Sequence, residues 1–471
     1  MKDFLTIKGK VTSFLRDVRE AVSGTEQDFT TGKLGRAIML LAIPSILELV
    51  MESVFVIVDI FFVSKLGADA IATVGLTESL MTLIYAIAMG LGTATTSMVS
   101  RRIGEKNPQE ASKVAIQAIL AGILLSVIIG IPGAIYSKKI LGLMGASDTI
   151  IQNMSGFTMI MLGSNTVIML LFIINAVFRS AGDAAIAMKV LWTGNIINII
   201  LDPLFIFGIG PFPEMGVIGA AIATLTGRSI AVFAQFYLLF FGKKRIQLSI
   251  RHIGFNPRVI LRLLKLSTGS IGQNLIATLS WVGLVRIISM FGSQVVAGYT
   301  IAIRVVNFTL LPAWGLSNAA STLVGQNLGA KLPERAERSV WITAWFNVLL
   351  LGIIGLILFL FPAYFINLFI DDNDVVISGI RCLKILSIGY VVYGLGMVLV
   401  NSFNGAGDTM TPLRINVLAY FIIEIPLAWL LAVDLGFGED GVFLAILFAE
   451  IVMTTLSWLI FRRGRWKLKN V

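Results

Sequence analysis

The chain of 471 residues is 56% hydrophobic and only 14% charged, with a mean hydropathy of +0.89. A soluble domain averages about 25% charged residues, so a soluble globular protein is excluded. The net charge of +10 does not point to nucleic acid, because the basic residues fall in short loops between apolar runs, where membrane topology accounts for them.

Residues 1–36 hold seven Lys/Arg and no apolar core of signal-peptide length, so no cleaved leader is expected. Phe4, Ile7, Val11, Phe14, Val18 and Val22 follow helical spacing between basic residues. The segment is either a helix lying on the inner membrane surface or a disordered basic tail.

The first apolar run, Leu41 to Phe62, carries Glu48, Glu52 and Asp59. At about 100° per residue, Glu52 lies about 40° from Glu48 and Asp59 about 20° from it, so the three carboxylates share one helical face. A charge at mid-bilayer costs about 2.5–3.5 kcal/mol even on the lenient scale, so the stripe cannot face lipid. It is either a buried polar cluster joining helices or the acidic wall of a cavity, and the second reading is adopted. Pro44, one turn before the stripe, removes a helix hydrogen bond and is the expected hinge.

Twelve spans are expected: 37–63, 71–100, 112–135, 154–178, 187–209, 214–241, 259–290, 295–327, 336–361, 376–404, 412–434 and 439–461. The loops on the side of the two termini, with their flanking helix ends, hold 29 Lys/Arg against 5 on the other side, which makes both termini cytoplasmic. The organisation is then a basic N-terminal segment (1–36), an N-lobe (37–241), an inter-lobe linker (242–258), a C-lobe (259–461) and a basic tail (462–471). The lone histidine, His252, falls in the linker, so proton chemistry inside the membrane must use carboxylates. The lone cysteine, Cys382, excludes an intrachain disulfide.

The two lobes repeat. One constant offset, without a gap, aligns Gly67–Ala111 with Gly292–Ala336 at eleven identical positions, and matches Ala181-Gly182-Asp183 to Ala406-Gly407-Asp408. Six spans per copy gives both halves the same sense, so the fold class is an all-α integral membrane protein with twelve transmembrane helices. Its two six-helix lobes are related by a pseudo-two-fold axis along the membrane normal. The copies differ in charge: Glu48, Glu52, Asp59, Glu78 and Asp202 correspond to Gln273, Ala277, Leu284, Ile303 and Leu427. Scaffold symmetry therefore does not require these acids, which points to a functional site in the first half. Glu424 and Glu450 pair with Ile199 and Leu225 and read as isolated from each other.

In span 5, Asn195, Asn198 and Asp202 sit at i, i+3 and i+7, on one face, and Asp202-Pro203 breaks regularity just where a polar side chain would line a cavity. Asparagine can serve a carboxyl group in either protonation state.

Several of these elements resemble the multidrug and toxic compound extrusion family, in the prokaryotic branch similar to the DNA-damage-inducible F proteins. They are Pro44…Val58-Asp59, Asn175…Ala181-Gly182-Asp183, Asn198…Asp202-Pro203-x-Phe205-Ile206 and Gly216-Val217-x-Gly219-Ala220-Ala221. The similarity runs through essentially the whole chain from about residue 37. It implies an antiporter that expels amphiphilic, often cationic compounds in exchange for H⁺ or Na⁺ from the prokaryotic cytoplasmic membrane. It also implies a coupling site at Asp59, Asn175, Asn198 and Asp202, with Thr224 a looser match, and a first helix that bends at Pro44. Na⁺ ligation at Asp59, Asn175, Asn198 and Asp202 and proton exchange both stay open. Other branches of the family place acids in spans 7 and 10. Here span 7 offers only Gln273 and Asn274, and span 10 has no acid between Ile385 and Asn404.

Glu48, Glu52, Glu78, Asn195 and Gln273 are assigned to the substrate cavity. The expected partners are small amphiphilic cargo and membrane lipids, with no cofactor beyond the coupling ion and a monomeric state. A flippase for a lipid-linked sugar is the alternative, which would require cavity arginines for the pyrophosphate. An enzyme finds no support, since no metal-ligand cluster with histidine, nucleophile–base pair or phosphate loop is present.

Overall fold

The computed structural model describes residues 15–24, 27–242, 245–249 and 254–471. Phe4, Ile7, Val11 and Phe14 of the N-terminal segment, and Lys243, Lys244, Arg251 and His252 of the linker, lie outside the described residues. Residues 15–23 are helical, and Lys189 Nζ donates to the Ser23 carbonyl at 2.7 Å.

Among the described residues the secondary structure is helix without strand, as apolar runs in lipid require, since every backbone N–H must find its partner within the segment. The first half contains α1 (Leu34–Ser64), α2 (Ala68–Gly104), α3 (Pro108–Ile135), α4 (Ser155–Gly163 and Asn165–Ala181), α5 (Ala184–Phe207) and α6 (Gly216–Phe241). The second contains α7 (Pro257–Ile288), α8 (Ser293–Gly329), α9 (Pro333–Leu360), α10 (Asn373–Ile388 and Tyr390–Ala406), α11 (Met410–Asp434) and α12 (Glu439–Arg462). Among the described residues nine single helices are long and apolar enough to cross a bilayer, or eleven counting α4 and α10 as one span each. The acid-bearing α1, at 31 residues, is about 46 Å long and completes the twelve. Large apolar side chains such as Phe233, Trp345 and Leu349 stand exposed on these helices, as a surface facing lipid should present.

The repeat is carried down to single backbone angles. Lys106 and Lys331, which the repeat pairs with each other, are the positive-φ non-glycine residues among those described, at 58° and 59°. Each ends a helix through a six-to-one bond, Asn107 N–H to Arg102 carbonyl (3.0 Å) and Leu332 N–H to Asn327 carbonyl (2.8 Å). Pro108 and Pro333 then open the next helix, where a missing N–H costs nothing. The Ala-Gly-Asp copies behave alike: Gly182 (φ 98°) and Gly407 (φ 85°) take the left-handed turn that glycine adopts without strain. The breaks in α4 and α10 also fall at repeat-related positions, Ser164 and Gly389, with bends of 41° and 57°.

The chain divides into two compact units, residues 1–28 with 47–267 and residues 29–46 with 268–471. The division therefore falls inside α1, between Ile46 and Leu47, just after Pro44. In the second unit Gly315 packs on the α1 backbone, where an added Cβ would lie 2.9 Å from Ile46 N. In the first, Trp192 Nε1 donates to the Leu47 carbonyl at 3.0 Å. Residues 462–471, expected as a basic tail, are folded: Arg465–Leu468 form a 3-10 turn and Trp466 is fully buried.

Candidate functional site

The site in the first unit is set by a glycine crossing of α5 and α6. A Cβ on Gly227 would lie 2.5 Å from the Gly194 carbonyl oxygen, and one on Gly219 would lie 2.6 Å from the Phe205 carbonyl. Only hydrogen at these positions lets the two backbones meet. Asn198 stands one turn after Gly194 and Thr224 one turn before Gly227, so the crossing brings them together. Asn198 Nδ2 donates to Thr224 Oγ1 at 3.2 Å and to Asp202 Oδ1 at 3.3 Å. Pro203 lacks the N–H that would bond the Ile199 carbonyl. Gly227→Ala is expected to cost about 1–3 kcal/mol by overpacking and to part Thr224 from Asn198. A thermal melt unchanged from wild type would show that the crossing is looser than described.

Asp202 is fully buried, and its Oδ2 has no hydrogen-bond partner; the same holds for Asn198 Oδ1. Buried acceptors without donors are costly, and a proton or a hard cation is the kind of ligand that satisfies them. Asp59 lies within electrostatic reach of Asp202, and itself feels Glu78 and Arg228. The structure thus brings Asn198, Asp202 and Thr224 into one hydrogen-bonded cluster, with Asp59 in electrostatic reach of Asp202.

Asn175 is placed elsewhere. Its Nδ2 donates to Glu48 Oε1 at 2.9 Å, and its own Oδ1 accepts from Gln235 Nε2 at 2.6 Å. Arg179 Nη1 donates to both Glu48 oxygens, at 2.8 and 3.1 Å. Glu52 is held in the same manner, by Arg228 Nη2 at 2.9 Å and Asn195 Nδ2 at 3.1 Å, with the Arg228 guanidinium over the Phe55 ring at 5.3 Å. The acidic stripe of α1 is therefore not a row of free carboxylates: its first two members are ion-paired, and only Asp59 belongs with Asp202. Glu78 is exposed and within electrostatic reach of Arg228 and Glu52. Tyr85 approaches the same guanidinium closely, but without hydrogen-bond geometry: Arg228 Nε and Nη1 are buried and donate no hydrogen bond.

Arg179 and Arg228 were not legible as partners from the acids alone, yet the repeat contains the signal. Glu48 and Arg179 correspond to Gln273 and Asn404, and Glu52 and Arg228 to Ala277 and Met453, so each charge pair disappears as a pair. In the second unit Gln273 Nε2 donates to Asn404 Oδ1 (3.1 Å) and to the Thr409 carbonyl (2.9 Å), and Asn404 Nδ2 returns a bond to Gln273 Oε1 (3.2 Å). Gln273 is thus engaged in a closed amide pair.

Glu424 and Glu450 are not isolated, contrary to their reading in sequence. Ser280 Oγ donates to Glu424 Oε2 at 2.5 Å, Tyr420 Oη donates to Glu450 Oε1 at 3.1 Å, and the two carboxyl groups interact electrostatically. A π-helical segment of α11, Val417–Glu424, presents Tyr420 and Glu424. Helical spacing within α11 gives no information about α12, which supplies Glu450.

Against known proteins, the MatE family model matches residues 44–204 and again residues 270–430, once in each half. The chain is 25% identical over 405 residues to the probable multidrug resistance protein YoeA of Bacillus subtilis, covering 84% of this chain and 87% of that protein. It is 26% identical to a protein of Shewanella oneidensis named FAD transporter, covering 91% of this chain and 95% of the other. Among solved structures, one titled an outward-facing conformation of a multidrug resistance MATE family transporter superposes with a TM-score of 0.86. That match is at 25% identity, over 94% of this chain and 98% of that one.

Proposed function

This chain belongs to the multidrug and toxic compound extrusion family of membrane transporters, and on that premise we propose that it exports amphiphilic cations in exchange for H⁺ or Na⁺. The observation that carries the reading is the buried Asp202, hydrogen-bonded to Asn198, each with one oxygen lacking a partner, in one half of a repeat whose other half has Leu427 and Ile423 there. Either ion, on entering, cancels negative charge shared with Asp59 and weakens the hold on a cationic cargo. The positive-inside distribution supports insertion in a prokaryotic cytoplasmic membrane with both termini inside, and the transporting unit is a monomer. Reconstituted vesicles loaded with ethidium test the coupling: efflux should follow an imposed pH gradient with Na⁺ absent, or an imposed Na⁺ gradient at constant pH. Efflux indifferent to both gradients would sink the proposal.

A second reading, acidic cargo, has one specific observation in its favour: the buried Arg228, whose Nε and Nη1 nitrogens donate no hydrogen bond. The Shewanella relative's name suits it. The same vesicles with an anionic fluorophore separate the two.

The mechanical element is α1. Pro44 removes the donor to the Leu40 carbonyl, while Ser45 Oγ donates to the Leu41 carbonyl at 2.9 Å, so bending there is less costly than in an uninterrupted helix. Spin labels on α1 beyond Pro44 and on α5 should report a distance change with pH or Na⁺, and Pro44→Ala should shrink it. Normal transport by Pro44→Ala with fixed distances would leave rigid rocking of the two halves as the mechanism.

A further inference from the structure

The second unit contains a crevice of about 420 Å³ at the end that carries the C-terminus. That volume lies within the roughly 300–1,000 Å³ of sites that enclose small ligands. Its lining is ordered along the helix axes. Arg414 lies one turn into α11, and Leu418 follows one further turn, about 6 Å, deeper. Arg463 closes α12, and Ile460 and Leu456 lie one and two turns back into the span. Arg465 joins the cationic rim from the folded tail. Charge thus sits at the helix ends and aliphatic surface deeper in the membrane.

The tail is pinned so as to form one side of the crevice. Trp466 stacks on Phe461 at 4.7 Å and donates from Nε1 to its carbonyl at 3.0 Å. Lys467 pairs with Glu337. Lys469 pairs with Asp408 at 3.1 Å, so the one acid of the crevice is already neutralised. Arg414, Arg463 and Arg465 have no carboxylate partner among the described residues. The repeat-related positions in the first half are Lys189, Leu238 and Phe240, so a cation at Arg414 is common to both halves while Arg463 and Arg465 are peculiar to the second.

We propose that this crevice binds an acidic phospholipid, its phosphate held by Arg414, Arg463 and Arg465 and its acyl chains laid along Leu418, Ile460 and Leu456. Arginine presents planar, paired donors that match phosphate oxygens, and basic pockets between helices at the membrane surface suit anionic headgroups. Charge complementarity selects the headgroup, and the aliphatic floor selects a lipid over a soluble phosphoester.

The full-length protein, purified in detergent and titrated with phosphatidylglycerol or phosphatidylcholine, tests this by native mass spectrometry. Wild type should retain phosphatidylglycerol in preference to phosphatidylcholine. Arg414→Gln/Arg463→Gln/Arg465→Gln should bind phosphatidylglycerol about a hundredfold more weakly, each charge contributing about fivefold. The triple lysine variant keeps the charge and should retain the preference, which separates lost charge from lost folding. Ile460→Trp fills the apolar floor and should also weaken binding with all three arginines in place. Equal retention by wild type and the glutamine variant would overturn the proposal. So would displacement of the lipid by equimolar sn-glycerol 3-phosphate or inorganic phosphate, which would make a soluble phosphoester the ligand.

Discussion

Asp202→Asn is expected to abolish ion-coupled exchange while leaving the protein folded and, if anything, more stable. The substitution is isosteric, and its amide oxygen can still accept from Asn198 Nδ2, as Asp202 Oδ1 does at 3.3 Å. The new Nδ2 would stand where Oδ2 now lacks a partner. A buried charge and one idle acceptor are thereby removed together, which lowers the desolvation cost of the site. An amide, however, can neither take up a proton nor supply anionic charge to Na⁺. A contact to a charged group is worth about 1.5–3 kcal/mol, so ion affinity should fall about 10- to 100-fold. Asp59→Asn should show the same loss, and the double variant little more, because two groups serving one ion do not act additively. Ion-driven ethidium efflux at the wild-type rate from either single variant, in vesicles containing matched amounts of protein, would remove that residue from the coupling site.

A double-mutant cycle on Glu48 and Arg179 should show strong coupling, with the double variant more stable than either single one. The repeat provides the design, since the related positions hold Gln273 and Asn404 as a closed amide pair. Glu48→Gln alone leaves the Arg179 guanidinium, 21% exposed, without its carboxylate; Arg179→Asn alone leaves the 12% exposed Glu48 carboxylate with Asn175. Removing one partner of a buried pair costs about 3–5 kcal/mol, and partial exposure of both groups places these variants near the lower figure. Glu48→Gln/Arg179→Asn installs two neutral amides that the same scaffold already accommodates in its second copy, so much of that loss should be recovered. Unfolding midpoints in detergent measure the cycle. Strictly additive losses would show that the 2.8 Å contact contributes no coupling.

The amino-acid sequence by itself determined the twelve spans to within a few residues, because an apolar run in lipid satisfies its backbone as a helix. It also determined the repeat, and with it the matched turns at Lys106 and Lys331, since the same local residues impose the same local closure. It placed Glu48, Glu52 and Asp59 on one face of α1, and Asn198 and Asp202 on one face of α5, because the helical period fixes azimuth within a helix. Tertiary structure decided what each face meets. Asn175 goes to Glu48 and not to Asp202, Arg228 reaches Glu52, and Glu424 on α11 comes within electrostatic reach of Glu450 on α12. The bends at Ser164 and Gly389 likewise left no mark in hydropathy, which reads each span as continuous. The physical reason is that rotation and depth of one helix against another are set by where backbones can touch. Here that is the contact of Gly194 with Gly227, where the absence of two side chains puts Asn198 beside Thr224 and leaves Asp202 buried with one oxygen open.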